Sequence, residues 1–472
     1  MPKLLIKKFI LYLLCLTLLS SCENPRQSDN LSVDIIIEAD HILTMNESLQ
    51  IYENSAIAIN KGKILDIDSA EVINQKYQSN NRISGKNRIL MPGLINGHSH
   101  AAMTLLRGIA DDKSLIDWLN NYIFPLEQEF VSEEFVRIGT KLACWEMIRG
   151  GTTTFVDMYF YPEVIAEVAS SCGLRALVSS TVSDNETPNA MNADDALLNG
   201  QDFIERWKNK NSLITPILGP HAIYSVNLQQ LQNTRKIANE TNTPISIHLS
   251  ESQFETQYSL TNYGMTSIKA LESINFFDGL TIAAHVVWPT DEEILILANN
   301  KVGVVHNPTS NMKLSSGIAP ISKMLEAGVL IGIGTDGAAS NNDLDMWEEM
   351  RLAALLQKVS TMNPEALPAI EVLKMATVNG AKIIGMDNAI GKIGIGMTAD
   401  IIQIGYDDVH HLPSYDIASH LVYVTDEQDV INVIIDGKLV MHEKELLTID
   451  TKEIEDDVLY FADKIKKSIE NN

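Results

Sequence analysis

The 472-residue sequence predicts an α/β fold, a (β/α)8 barrel joined to a small composite β-sandwich. Three observations carry that expectation. Between about residues 91 and 390, eight apolar runs alternate with helical stretches. Short β-like runs flank this middle on both sides. Most apolar runs also end in polar residues, as barrel strands do where their carboxyl ends build a site. An open doubly wound sheet would share the alternation, but no glycine-rich nucleotide loop follows the first run.

Residues 1–21 read as a signal peptide. Lys3, Lys7 and Lys8 form a basic start, and Phe9 to Leu19 form an apolar run too short to span a membrane comfortably. Leu19-Ser20-Ser21-Cys22 then resembles the lipobox of bacterial lipoproteins. The expectation is an exported protein held to a bacterial membrane by a lipid on Cys22, on its periplasmic or cell-surface side. Residues 22–32 are polar and form the tether. Residues 33–90 carry VDIIIEADHILTM, SAIAINKGKILDI and NRILMPG, parted by turns such as Asn60-Lys61-Gly62, and predict the first part of the sandwich. Residues 91–390 form the barrel. Residues 391–450 return to the β texture with ADIIQIGY and DVINVIIDGKLVMH, where Asp436-Gly437 marks a hairpin. Residues 451–472 place Ile454, Val458, Phe461, Ile465 and Ile469 on one helical face and predict a closing helix.

Lys+Arg total 36 against 61 Asp+Glu, a formal net charge of −25, which excludes a nucleic-acid partner and a polybasic membrane patch. At 45% hydrophobic and 21% charged residues, the chain is a folded body rather than a disordered one, compatible with a homo-oligomer. Of four cysteines, Cys15 leaves with the signal and Cys22 takes the lipid. Cys144 and Cys172 remain, as two buried thiols or one disulfide. No CxxC pair exists, so a metal must be held by histidines and carboxylates.

The barrel runs are Ile89-Leu90-Met91, TTTFVDM, RALVSSTV, ITPILGP, PISIHL, LTIAAHV, VGVVHNP and VLIGIGTDG. Helical stretches such as 228–239 and 292–299 separate most of them. The first run leads to His98-Ser99-His100, the fourth to His221, the fifth to His248, the sixth to His285 and the eighth to Asp336. An HxH pair on a strand puts both imidazoles on one face. Each histidine singly could be a core residue, but five of the chain's 11 fall on one rim together with an aspartate. Three imidazoles and a carboxylate suit one catalytic divalent cation with a position left for water. Zn²⁺ is the first expectation, and Fe²⁺ or Mn²⁺ accepts the same donors.

PGLINGHSH, HLSE, TIAAHVV, HNPTSNMKL and GTDGAASNN resemble the amidohydrolase superfamily. More narrowly they resemble its 5-methylthioadenosine/S-adenosylhomocysteine deaminases and the related triazine chlorohydrolases, over about residues 33–440. The resemblance implies a barrel with a composite β-sandwich. It implies His98, His100, His248 and Asp336 as ligands of one metal, because the fourth run ends without the lysine of binuclear relatives. It assigns Glu251 to protonating the purine ring nitrogen, His285 to polarising the attacking water, and Asp336 to moving its proton toward the leaving amine. Glu127 and His221 match substrate contacts, the first to ribose hydroxyls. Glu251 could instead open a solvated helix, and Glu127 could be a surface carboxylate. His306 and Asn307 match a structural or substrate-side role, with a satisfied buried histidine as the alternative, and Trp118 lies in the substrate-lining segment. His41, His410, His411, His420 and His442 lie off the rim and read as surface or structural residues.

The activity implied is hydrolytic deamination of adenine nucleosides to the inosine-type product and ammonia. A same-fold hydrolase of another cyclic amidine or chlorinated heterocycle, and a non-catalytic ligand-binding lipoprotein, are the alternatives. One departure bears on the substrate. Residues 176–205 contain no Lys or Arg, where relatives that accept S-adenosylhomocysteine carry arginines, and Ser180 stands near one such place. A carboxylate without a cationic partner binds poorly in a buried site. The expected preference is therefore for 5-methylthioadenosine or adenosine.

Overall fold

The computed structural model describes residues 30–471. The expected signal peptide, Cys22 and most of the tether lie outside the described residues. The last two tether positions, Leu31–Ser32, already pair in parallel with Tyr77–Gln78. Among the described residues, no helix is long and apolar enough to cross a membrane.

Eight parallel strands run in sequence order around one sheet: β1 (Leu94–Ser99), β2 (Thr152–Tyr159), β3 (Arg175–Val182), β4 (Ile214–Pro220), β5 (Ile245–Leu249), β6 (Thr281–His285), β7 (Gly303–His306) and β8 (Leu330–Ile333). Helices link successive strands, and both faces of the strands are covered, which is why β2, β3 and β5 are buried at every position. The last strand returns to the first where the Asp336 N–H donates to the His98 carbonyl at 3.0 Å. Gly334 permits that approach, since a Cβ there would lie 2.7 Å from the backbone nitrogen of His98. The fold class is the one the alternating pattern predicts.

A second, nine-stranded sheet draws on both ends of the body. Strands Ile35–Leu43, Ile51–Asn60, Lys63–Ser69, Arg82–Ile83 and Arg88–Pro92 come from one side; Ile401–Gly405, Val430–Ile435, Lys438–His442 and Glu445–Leu446 come from the other. The two contributions meet where Met91 pairs antiparallel with Ile402. This corrects the first barrel run: Ile89-Leu90-Met91 belongs to the second sheet, and Leu94–Ser99 is the first barrel strand. Two expected turns are hairpin tips with successive positive φ, Lys61-Gly62 (51° and 77°) and Asp436-Gly437 (51° and 70°). The tips touch, for a Cβ on Gly437 would lie 2.4 Å from Gly62 Cα.

A buried ion pair joins the sheet to the underside of the barrel. Arg175, at the start of β3, grips Asp400 through Nε at 2.8 Å and Nη2 at 3.1 Å. The helix Thr451–Asn471 closes the chain against the barrel, with Ile454, Phe461 and Ile465 buried and the Phe461 ring edge-on to Phe135. Ile469 is 47% exposed, so the apolar stripe ends one turn earlier than the periodicity suggests. Cys144 and Cys172 are buried free thiols.

Candidate active site

The carboxyl ends of the barrel strands converge on one cavity. His98 closes β1 with Ser99, and His100 follows; His248 lies in β5, and Asp336 follows β8. Their donor atoms all lie within 4.8 Å of one another. Asp336 Oδ1 stands 3.3 Å from His98 Nε2 and 3.1 Å from His100 Nε2, and the Nε2 atoms of His100 and His248 are 3.2 Å apart. Two donors bound ~2.1 Å from one tetrahedral ion stand roughly 3.4 Å apart, so the spacing suits a single centre.

The surroundings aim these donors. His248 Nδ1–H donates to the His221 carbonyl at 2.8 Å, and His100 Nδ1–H donates to the Met158 carbonyl, turning both Nε2 atoms inward. Asp336 Oδ2 accepts from Ser310 Oγ at 2.6 Å and Ser340 Oγ at 3.0 Å, so Oδ1 alone faces the histidines. His98 Nε2 is fully buried and has no hydrogen-bond partner. An orphaned imidazole nitrogen beside a carboxylate costs free energy unless a cation satisfies it.

The electrostatics agree. Burial lowers His98 to about 4 and His248 well below the usual imidazole range. Burial also opposes a charge on His100, but the Asp336 carboxylate outweighs it and raises that imidazole to about 9. Burial tends to raise Asp336, and the His100 and His98 rings hold it well below the carboxylate range nonetheless. The donor set thus draws positive charge into a water-poor site. Left-handed backbone occurs here at three strand ends, at Ser250 (φ 52°), His285 (φ 74°) and Asp336 (φ 62°).

The remaining expected residues line the same cavity. His285 ends β6, with Nε2 4.0 Å from Glu251 Oε2 and its Nδ1–H donated to Asn311 Oδ1 at 2.9 Å. Glu251 is 4% exposed and Glu127 6%, which removes the solvated-helix and surface-carboxylate alternatives. Burial raises Glu251 above the ordinary carboxyl range and Glu127 to about 7. Glu127 accepts from the Tyr159 hydroxyl at 2.7 Å. His221 donates Nδ1–H to Ser225 Oγ at 2.7 Å, and burial lowers it to about 4, so its Nε2 is a free acceptor. Trp118 lines the inner cavity of about 80 Å³. An outer chamber of about 390 Å³ shares the wall formed by Glu127, His221, Phe160 and Tyr224. It has no Lys or Arg in its lining and includes Glu186 and Phe254.

Several supporting groups escape a reading of motifs. Ser310, Ser340, Asn311 and Tyr159 make contacts between elements far apart in the sequence. Glu255 pins the turn that carries Glu251, its carboxylate accepting the Ser250 and Glu251 N–H groups at 2.8 and 3.0 Å. The repeated acidic spacing in HLSESQFE was the available signal for it. For His306 the satisfied-histidine alternative does not hold: the ring is buried with neither nitrogen paired.

Known proteins share this architecture. Residues 89–440 match the Amidohydrolase family. The chain is 42% identical to a 5-methylthioadenosine/S-adenosylhomocysteine deaminase of Thermodesulfovibrio yellowstonii over 92% of this chain and 99% of that one. It is 41% identical to a 5'-deoxyadenosine deaminase of Methanosarcina mazei, over 89% and 96% of the two chains. A zinc-bound adenosine deaminase structure from Xanthomonas campestris superposes with a TM-score of 0.91 at 34% identity, covering 93% of this chain and 100% of that one. With its barrel, its rim of histidines and this match over most of its length, the chain belongs to the amidohydrolase family.

Proposed function

We propose that the protein is a metal-dependent hydrolytic deaminase of adenine nucleosides, with 5-methylthioadenosine or adenosine preferred over S-adenosylhomocysteine. The observation that carries this reading is Glu251: a buried carboxyl with raised proton affinity, beside His285 and the three-histidine, one-aspartate donor set, in a cavity that continues to Glu127 and His221. The names of the similar deaminases support the substrate class.

His98, His100, His248 and Asp336 would hold the cation, and the orphaned His98 nitrogen fits it. When bound, a divalent ion such as Zn²⁺ supplies a Lewis acid that makes water nucleophilic near neutral pH. The chain's own groups do the rest. Asp336 stays ionised and accepts a proton from the attacking water, then passes it toward the amine at C6. His285, fixed by Asn311, presents a bare Nε2 that orients the same water. Glu251 holds a proton and delivers it to the adjacent ring nitrogen, so negative charge does not accumulate on the purine. Water is consumed, the amine leaves as ammonia, and an inosine-type product remains. Glu127 and the free His221 Nε2 accept hydrogen bonds from the sugar hydroxyls.

The outer chamber takes the 5′ substituent. Without a cation in its wall, and with Glu186 there, it suits a neutral thioether better than an amino acid with a carboxylate. The test is ammonia release over a panel of adenosine, 5-methylthioadenosine, S-adenosylhomocysteine, guanine, cytosine and triazines. A kcat/KM at least tenfold higher for 5-methylthioadenosine than for S-adenosylhomocysteine is expected; release only from a bare ring or triazine would overturn the reading.

Export and lipid anchoring at Cys22 belong to the same proposal, supported by the basic start, the apolar run and the cysteine after Ser20-Ser21. Labelled palmitate should enter the full-length protein in bacterial cells and be lost in Cys22→Ala; equal labelling of both would contradict it.

A further inference from the structure

The connection between the two C-terminal sheet strands Ile401–Gly405 and Val430–Ile435 gathers a second set of metal-ligating side chains, away from the active-site cavity. His411 Nε2 lies 3.1 Å from Asp429 Oδ1, and His410 Nε2 lies 3.6 Å from Asp429 Oδ2. One ligand atom from each of the three residues falls within 4.8 Å of the others. These separations bracket the roughly 3.4 Å expected for two donors on one tetrahedral ion. The shorter of them matches the 3.1–3.3 Å between Asp336 and its histidines.

The buried nitrogen is the telling atom. His411 is 1% exposed, and its Nε2 has no hydrogen-bond partner despite the nearby carboxylate. Its Nδ1 meets His420 Nε2 at 2.7 Å. If Nδ1–H donates to His420, the Nε2 of His411 is a bare lone pair facing a carboxylate oxygen, an arrangement that repels unless a cation lies between them. His420 then does for His411 what the His221 carbonyl does for His248: it fixes the tautomer from behind. Asp429 is held as well, its Oδ2 accepting the Asp426 N–H at 3.0 Å. His410, 45% exposed at its side chain, closes the set from the solvent side and leaves room for water as a further ligand.

We propose that His410, His411 and Asp429 form a second, structural site for a borderline divalent cation such as Zn²⁺ or Co²⁺, distinct from the catalytic centre. The ion would clamp the connection between the two sheet strands. That connection carries the helix Ile417–Tyr423 and is tied to the barrel helix Met346–Thr361 through Arg351, whose Nη2 donates to the Thr425 carbonyl at 2.9 Å.

The test is metal content of the full-length protein after equilibration with Zn²⁺ alone and removal of the excess, compared with His410→Ala. His410 is half-exposed and outside the catalytic machinery, so the variant should fold and release ammonia as the parent does. The parent is expected to retain one more equivalent of Zn²⁺ per chain than the variant. Its second equivalent should bind at least tenfold more tightly than any second equivalent the variant takes up, and Zn²⁺ should raise the parent's Tm more than the variant's. Because the comparison is a difference between the two proteins, it holds whatever the catalytic centre binds. Equal Zn²⁺ content and equal Tm response in the two proteins would overturn the proposal.

Discussion

Glu251 faces His285 across 4.0 Å in a site where burial raises its proton affinity, and a glutamine in its place would keep the shape and lose the transferable proton. Glu251→Gln should lower kcat by about 10²–10⁴-fold while leaving the Kd for substrate within a few-fold of the parent. Unchanged turnover would remove Glu251 from the chemistry. Glu127 is a different kind of residue, a buried acceptor that the proposed function assigns to sugar hydroxyls. Glu127→Gln should raise KM for adenosine by about tenfold, with a smaller effect on kcat, read from steady-state ammonia release. At this scale the sequence was legible where chemistry sits in short motifs: the HxH pair, His248 with Glu251, His285 and Asp336. It gave no role to Ser310 and Ser340, which hold Asp336, because two hydroxyls acquire that meaning only when the short helix Pro308–Lys313 and the turn after β8 bring them to one oxygen.

Seven of the eight barrel strands were legible from apolar runs alternating with helical stretches, each of those runs lying where a barrel strand forms. The first run did not mark one, because the strands Arg88–Pro92 and Leu94–Ser99 follow one another with only Gly93 between them, and the apolar residues run from Ile89 across it to Ile95. Both segments are buried, and burial of a strand does not say which sheet it joins. Helix caps show a subtler element-scale effect. Asp345 caps Met346–Thr361, its carboxylate accepting the Trp347 N–H at 2.8 Å, yet burial, with Asp343, Glu427 and Glu348 nearby, raises it from 3.8 to about 7. A carboxyl whose folded pKa is raised favours the fold below its unfolded value, and that contribution is lost as pH climbs from about 4 through 7. Asp345→Asn keeps the cap and removes the charge. The variant should therefore be more stable than the parent by about 1–3 kcal/mol at pH 8, with the difference shrinking toward pH 4, in urea unfolding. A difference independent of pH would contradict this.

Across the whole molecule, two sheets assembled from distant parts of the chain must be held in register, and the Arg175–Asp400 pair does this below the barrel while the active site occupies its opposite rim. Asp400→Ala would strand a guanidinium that is 7% exposed, at a cost of about 3–5 kcal/mol, seen as a Tm lowered by several degrees. Loss of activity at low temperature without a Tm change would point to some other role. Of the 61 acidic residues, the proposed function uses Glu127, Glu251 and Asp336; the excess over 36 basic residues gives a formal net charge of −25, of the sign and size that opposes self-association. The most direct test of the whole is conversion of 5-methylthioadenosine by the full-length protein, followed as ammonia release before chelation, after it, and after Zn²⁺ is restored. Release that vanishes on chelation and returns with the metal is the predicted result; release that survives complete removal of metal, or no release in any state, would contradict it.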